Sequence, residues 1–113
     1  MTSEPSRAER IALLNDLCRT AMGMCGRLVQ TEGMCALPQA DQSAIREKVE
    51  TYSDFNSDND PYREHDFGAF EHHGERIFWK IDYYDNTLTK GSEDPSRPEE
   101  TTRVLTIMLA CEY

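Results

Sequence analysis

The sequence predicts one α+β domain, in which an antiparallel sheet of two hairpins packs against helices. Two observations predict this class. Apolar residues recur at helical spacing in three segments of the 113-residue chain, and strand-like segments broken by turn signals lie in the two intervals. The predicted order is therefore αββαββα over residues 1–113, with residues 1–5 expected to be flexible.

The first predicted helix begins at a capping box, because Ser6 can cap the helix and Glu9 follows three residues later. Its apolar residues recur at helical spacing; they are Ile11, Leu14, Leu17, Cys18 and Ala21. Gly23 and Gly26 are expected to end this helix.

Two further helices are predicted. The second runs from about residue 38 or 41 to residue 51, with Ile45 and Val49 as its core pair. The third follows a capping box at Ser96 and Glu99. Apolar residues cover so much of residues 104–111 that this last helix is expected to be buried.

Each interval between helices is predicted to hold a hairpin. The first would pair residues 27–30 with residues 34–37 around a turn at residues 31–33. The second would pair residues 66–72 with residues 75–84 around His73-Gly74. Its predicted register places Glu71 opposite Arg76, Phe70 opposite Ile77, Ala69 opposite Phe78, and Gly68 opposite Trp79.

The same alternation assigns the two faces of the second hairpin. Its core face is predicted to carry Phe70, Ile77, Trp79, Ile81 and Tyr83. Its wetter face is predicted to carry Glu71, Arg76, Phe78, Lys80, Asp82 and Tyr84.

Charge and aromatic residues are concentrated in one part of the chain. Residues 54–100 hold thirteen Asp or Glu against five Lys or Arg, and nine of the ten aromatic residues fall between Tyr52 and Tyr84. An acidic surface repels nucleic acid and attracts basic partners. Direct nucleic-acid binding is therefore not expected, and a basic protein surface is the expected partner.

These features favour a non-enzymatic acidic interaction protein. One version is a nucleic-acid mimic that occupies the binding groove of a basic protein. The residues expected to contact the partner are Asp54, Asp58, Asp60, Tyr62, Glu64, Asp82, Tyr84, Asp85, Glu93 and Asp94. The sequence leaves the identity of the partner and the oligomeric state open.

The alternative is a small enzyme or ligand-binding protein with a pocket near the second hairpin. A histidine beside carboxylates can perform acid–base chemistry. The residues that would line this pocket are His65, Asp66, Asp82, Tyr84 and Asp85. No nucleophile elbow, phosphate loop or zinc-protease pattern supports it further.

Metal binding has weaker support, and no cofactor is predicted. The alternating oxygen-bearing side chains of Asp54, Asn56, Asp58 and Asp60 resemble part of a calcium loop. Asn59 stands where that loop needs glycine, and His65 where it needs a bidentate Glu.

The other potential metal ligands also lack a complete pattern. Cys18, Cys25, Cys35 and Cys111 show no paired ligand spacing. The adjacent His72 and His73 are expected to be solvated at the turn, and a third metal ligand for them is not evident. No apolar run is long enough to span a membrane, and a cytoplasmic protein is expected.

Four strings in the second half carry a family resemblance. They are NDPYREHDFGAF at residues 59–70, FWKIDYYD at 78–85, GSEDP at 91–95 and TTRVLTIMLA at 101–110. On these strings the chain resembles a small bacterial family of unknown function, family 3768. The resemblance implies no activity and no site residues. It suggests a role in the biology of mobile elements, such as that of an anti-defence factor, since members tend to be encoded by bacterial genomes and plasmids.

Overall fold

The computed structural model, which describes residues 4–21 and 26–113, has an α+β architecture with three helices and one four-stranded sheet. The elements in chain order are α1 (Arg7–Thr20), β1 (Gly26–Gln30), α2 (Glu32–Cys35), α3 (Gln39–Glu50), β2 (Phe67–His72), β3 (Glu75–Tyr84) and β4 (Thr102–Leu109). The strand order is β1-β4-β3-β2. The sheet is mixed, because β1 pairs parallel with β4 while the other pairs are antiparallel.

Helix α1 begins as predicted. The Ser6 side chain accepts a hydrogen bond of 3.1 Å from the Glu9 amide, which satisfies one of the free donors of the first turn. Its end differs from the prediction, because the helix stops at Thr20 and Gly26 already belongs to β1. Gly23 lies outside the described residues.

The predicted strand at residues 34–37 is wrong. Glu32–Cys35 form one helical turn, α2, which places the Met34 side chain in the core. An apolar run this short has no period that separates a helix from a strand. The first hairpin is therefore absent from the described part of the chain, and β1 pairs with β4 instead.

The β2–β3 hairpin confirms its predicted register at all four pairs. It also confirms the assignment of the core face, since Ile77, Trp79 and Ile81 are buried and Phe70 and Tyr83 pack against the same cluster. The close pairing of Gly68 with Trp79 leaves room for the indole. A Cβ atom on Gly68 would lie 2.2 Å from the indole nitrogen.

The predicted last helix is wrong, because residues 102–109 form β4, an interior strand of the sheet. Apolar residues lie on both faces of β4, because Leu105 and Ile107 face the core while Val104 and Met108 lie on the opposite face, so the sequence lacks the apolar–polar alternation of a strand. Its capping-box residues have other roles. Ser96 bonds to Asp94, and Glu99 lies in a short 3₁₀ turn, Pro98–Glu100.

Helices pack on one face of the sheet. The core joins Cys18, Met34, Ile45 and Val49 from the helices to alternate residues of β3 and β4. The opposite face carries the intervening residues of both strands, among them Phe78 and Tyr84. Tyr113 packs on this second face against Phe67 and Phe78, with ring centroids 6.1 and 5.5 Å apart.

The contact between Gly68 and Trp79 predicts that Gly68→Ala lowers the free energy of unfolding by about 1–3 kcal/mol, because the methyl group overpacks a rigid indole. Urea denaturation measures the change. Gly91→Ala is the matched control, since the nearest atom to its Cβ would be 3.7 Å away. Equal losses in the two variants would contradict the packing argument.

Candidate functional site

Two polar loops meet at one end of the sheet. Residues 51–66 lead into β2, and residues 85–101 connect β3 to β4. Antiparallel pairing brings the start of β2, the end of β3 and the start of β4 to the same end of the sheet. We call these two loops the acidic end.

Most of the net charge of the chain lies in the acidic end. Residues 51–66 contain five acidic residues and one basic residue, and residues 85–101 contain five acidic and two basic residues. The two loops therefore carry net charges of −4 and −3, which leave −2 of the total −9 for the rest of the chain. The fold gathers on one side charges that the sequence separates.

The carboxylates of the first loop are in different surroundings. Asp54 and Asp58 are exposed and form no ion pair with any described residue. Asp60 is buried, and its carboxylate accepts hydrogen bonds from the amides of Glu64 and His65. Asp60 was expected to contact a partner, but its carboxylate is buried and bonds to the backbone of its own loop.

Carboxylates of the second loop are mostly held by local bonds. Asp85 accepts hydrogen bonds from Thr87 and Thr89, and these help to lower the pKa of its carboxyl group against the opposing effect of desolvation. The hydrogen bond from Ser96 lowers the pKa of Asp94, which also pairs with Arg7 at 3.4 Å. Glu93 is exposed, with only a long contact of 3.9 Å to a lysine.

Two of the predicted partner residues lie on the second face of the sheet. Asp82 pairs with Lys80 at 2.8 Å, and Tyr84 follows on the same side of β3. The hydrogen bond with Asp82 raises the pKa of Lys80. His65 contacts α1 on the helical face, so the structure does not gather the five residues of the predicted pocket around one point.

A buried network of hydrogen bonds anchors both loops of the acidic end. The Asn15 amide group donates to the Glu64 carbonyl at 2.9 Å and to the Tyr83 hydroxyl at 2.8 Å. Arg103, which is 2% exposed, donates to the Asn15 side-chain oxygen at 2.7 Å and also to the Pro95 carbonyl. One asparagine thus connects α1, both loops and two strands.

Burial keeps the Tyr83 hydroxyl in its neutral form. Desolvation raises its pKa far above the ordinary value. The hydroxyl therefore stays protonated and donates to the Glu64 carboxylate at 3.0 Å while it accepts from Asn15. Partial burial likewise raises the pKa of Asp66, with the nearby charge of Glu64 adding to the effect.

A second cluster surrounds His65. Its Nδ1 lies 3.0 Å from the Asp16 carboxylate, which also accepts from Arg19 at 2.8 Å. The His65 ring stacks on Phe55 at 4.0 Å, and its Nε2 lies 3.8 Å from the Asp60 carboxylate. The imidazole is therefore held between two carboxylates.

The backbone beside this cluster is strained. Arg63 and His65 have φ values of 59° and 56°, in the left-handed region that residues other than glycine seldom adopt and that histidine enters more readily than arginine. Two shallow pockets of about 260 and 300 Å³ border His65, and Arg63 lines both. Strain of this kind is found at functional sites, where the surrounding structure maintains it.

The structure also locates the possible metal ligands. The Asn56 side chain accepts bonds from the amides of Asp58 and Asn59, so it serves the turn itself. Cys18 is buried, whereas Cys35 and Cys111 are exposed, and Cys25 lies outside the described residues.

The expectation that His72 and His73 are both solvated is wrong for the first of them. His72 is 6% exposed, and its Nε2 lies 2.9 Å from the Asp41 carboxylate.

Sequence reasoning missed Asn15, Arg19 and Arg103, the polar residues at the centre of these networks. A signal existed for the first two, because Ile11, Asn15 and Arg19 are four residues apart and share one face of α1. Arg103 alternates with the buried Leu105, but this signal depends on recognising β4 as a strand.

The family to which the chain is similar is matched over the region that contains the four sequence strings. A family described as "Protein of unknown function (DUF3768)" matches residues 30–112. The chain belongs to this family. The match contains all four strings and both loops of the acidic end, and the family description assigns no activity to them. No curated protein and no solved structure matches the chain. Within the described residues, no helix has the length and apolarity required to cross a membrane.

Proposed function

We propose that this DUF3768 protein is a non-enzymatic acidic interaction protein that binds a basic protein surface through its acidic end. The observation that carries the proposal is the position of the two loops, which bring a net charge of −7 to one end of the sheet. A concentrated field of one sign speeds the encounter with an oppositely charged partner and selects against others.

The acidic end also offers a contact residue that is not charged. Tyr62 is 79% exposed in the same loop as the unpaired Asp54 and Asp58. Exposed tyrosines often anchor protein interfaces, because they bury a large area at low entropic cost. We expect Tyr62 to contribute affinity, and the carboxylates to contribute association rate and specificity.

A narrower version of the proposal is that the partner binds nucleic acid and that the acidic end occupies its groove. The charge supports this version, and the family resemblance suggests a bacterial partner and a link to mobile elements. A competition experiment tests this version, because a nucleic-acid mimic and a short DNA duplex would compete for the same groove of the partner.

The test begins with a tagged pull-down from lysate of a bacterial host, washed at low and then high salt. Affinity for the captured protein is then measured for a triple variant, Asp54→Asn, Asp58→Asn and Glu93→Gln. All three carboxylates are exposed, so their loss should preserve the fold. We expect affinity to fall at least tenfold, and wild-type binding to weaken steeply with salt.

A matched control removes the same charge from the opposite end of the sheet. Glu32, Glu71 and Glu75 are exposed just after β1 and at the hairpin tip, and their change to glutamine should alter affinity less than twofold. Equal effects of the two triple variants would mean that net charge alone drives capture, which would contradict the proposed surface.

A second candidate function is a small-molecule site at His65. The specific observation in its favour is the imidazole held between Asp16 and Asp60 beside two pockets and a strained backbone. A histidine paired with a carboxylate can bind a polar ligand or exchange a proton with it. We therefore centre this candidate on the two pockets that His65 lines, which are not lined by the other four residues that the sequence suggested.

Fragment screening by NMR tests this candidate. The useful variant is His65→Asn, since asparagine tolerates a left-handed conformation and removes only the imidazole. If the site binds ligands, fragments will shift the amide signals of Phe55, Arg63 and His65 in the wild type, and these shifts will disappear in the variant. If the same fragments shift these signals in both proteins, or if no fragment shifts them at millimolar concentration, the His65 site is eliminated.

A further inference from the structure

Three potential metal ligands meet at the end of the sheet opposite to the acidic end. His72 closes β2, His73 begins the turn that follows, and Asp41 lies in the first turn of α3. Among the residues that the structure describes, this is the group of histidine, cysteine or acidic side chains with three ligand atoms close enough to share one ion.

The distances suit a small metal ion. Asp41 Oδ1 lies 2.9 Å from His72 Nε2 and 3.3 Å from His73 Nδ1, and the three ligand atoms all lie within 4.8 Å of one another. Ligands at tetrahedral zinc, with bonds of about 2.0–2.1 Å, are roughly 3.3 Å apart. Small side-chain rotations would therefore complete the site.

The fold preorganises this arrangement. His73 and Gly74 have φ values of 49° and 82°, which fit the two-residue turn that brings both imidazoles to the same side. The two rings stack with centroids 4.1 Å apart. His72 is buried while His73 is exposed, so solvent can reach the open side of the cluster.

We propose that Asp41, His72 and His73 bind one divalent transition-metal ion of the zinc type. Imidazole nitrogens with one carboxylate oxygen suit zinc and its neighbours, whereas magnesium and calcium prefer oxygen ligands throughout. Three protein ligands leave a fourth position for water. Such an open site is typical of exchangeable or reactive metal ions and differs from the closed four-ligand structural site.

Lys48 carries a positive charge beside His72 and is therefore expected to disfavour metal binding there. Its ammonium group lies 3.1 Å from His72 Nδ1 and 3.4 Å from the Glu71 carbonyl oxygen. An ammonium group can only donate, so His72 Nδ1 accepts, and the proton on Nε2 is donated to Asp41. Metal binding at Nε2 shifts the ring proton to Nδ1, and Lys48 must then leave this nitrogen for the carbonyl.

Calorimetric titration of the chelator-treated full chain with Zn²⁺ tests the proposal. We expect one ion per chain and a melting temperature that rises with zinc concentration. His73→Asn should weaken binding at least about tenfold. It creates Asn-Gly, a favoured pair for this turn, so the hairpin should fold. Lys48→Gln should strengthen binding several-fold, because it removes a competing positive charge.

A cysteine control separates this site from thiol binding. Cys35→Ser with Cys111→Ser should leave the affinity unchanged, and Co²⁺ should give a spectrum without a thiolate band. Absence of binding at millimolar zinc, full affinity in His73→Asn, or loss of binding in the cysteine variant would overturn the proposal. Unchanged or weaker binding by Lys48→Gln would contradict coordination through His72 Nε2.

Discussion

The hydrogen bonds of the buried Asn15 side chain are the constraint on which the acidic end depends. Through them α1 holds the Glu64 backbone of one loop, while Arg103 connects the same asparagine to the Pro95 backbone of the other. A buried guanidinium is costly unless its donors are satisfied, so this network fixes its members in one arrangement. Loops with ten acidic residues repel each other, and the core holds them together.

Arg19 performs a related task on the other side of α1. Its guanidinium donates to the carbonyl of Val49 in the last turn of α3 and to that of Tyr52 just after the helix, where a helix leaves its last carbonyls without partners. It also holds Asp16, which in turn holds His65. Two buried arginines thus hold the acidic end and the His65 cluster in place. Both lie on the helical face of the sheet.

The sequence predicted those parts of the fold that depend on local patterns. Alternation and a two-residue turn gave the register of β2 and β3, and the space for the Trp79 indole followed from Gly68. The strand β4 could not be recognised in this way, because apolar residues occupy both of its faces, and an apolar run without alternation cannot be distinguished from a buried helix. Without β4, the parallel pairing of β1 was also hidden.

The candidate sites show the same division. The acidic character of residues 54–100 is visible in the sequence, but the meeting of two loops depends on which strands pair. His72 and His73 are adjacent in the chain, whereas their third neighbour, Asp41, is 31 residues away from His72 and becomes evident only in the fold. The sequence therefore indicated which side chains could take part in a site, but not which of them the fold brings together.

Hydrogen exchange of the wild type and of Asn15→Leu, compared under conditions where both are folded, tests whether the Asn15 network holds both loops of the acidic end. We expect the amides in residues 51–66 and 85–101 to lose protection together, because leucine has the branched shape of asparagine but cannot form the shared hydrogen bonds. Protection at the β2–β3 turn should not change. Faster exchange in only one loop, or in neither, would contradict a single network that holds both.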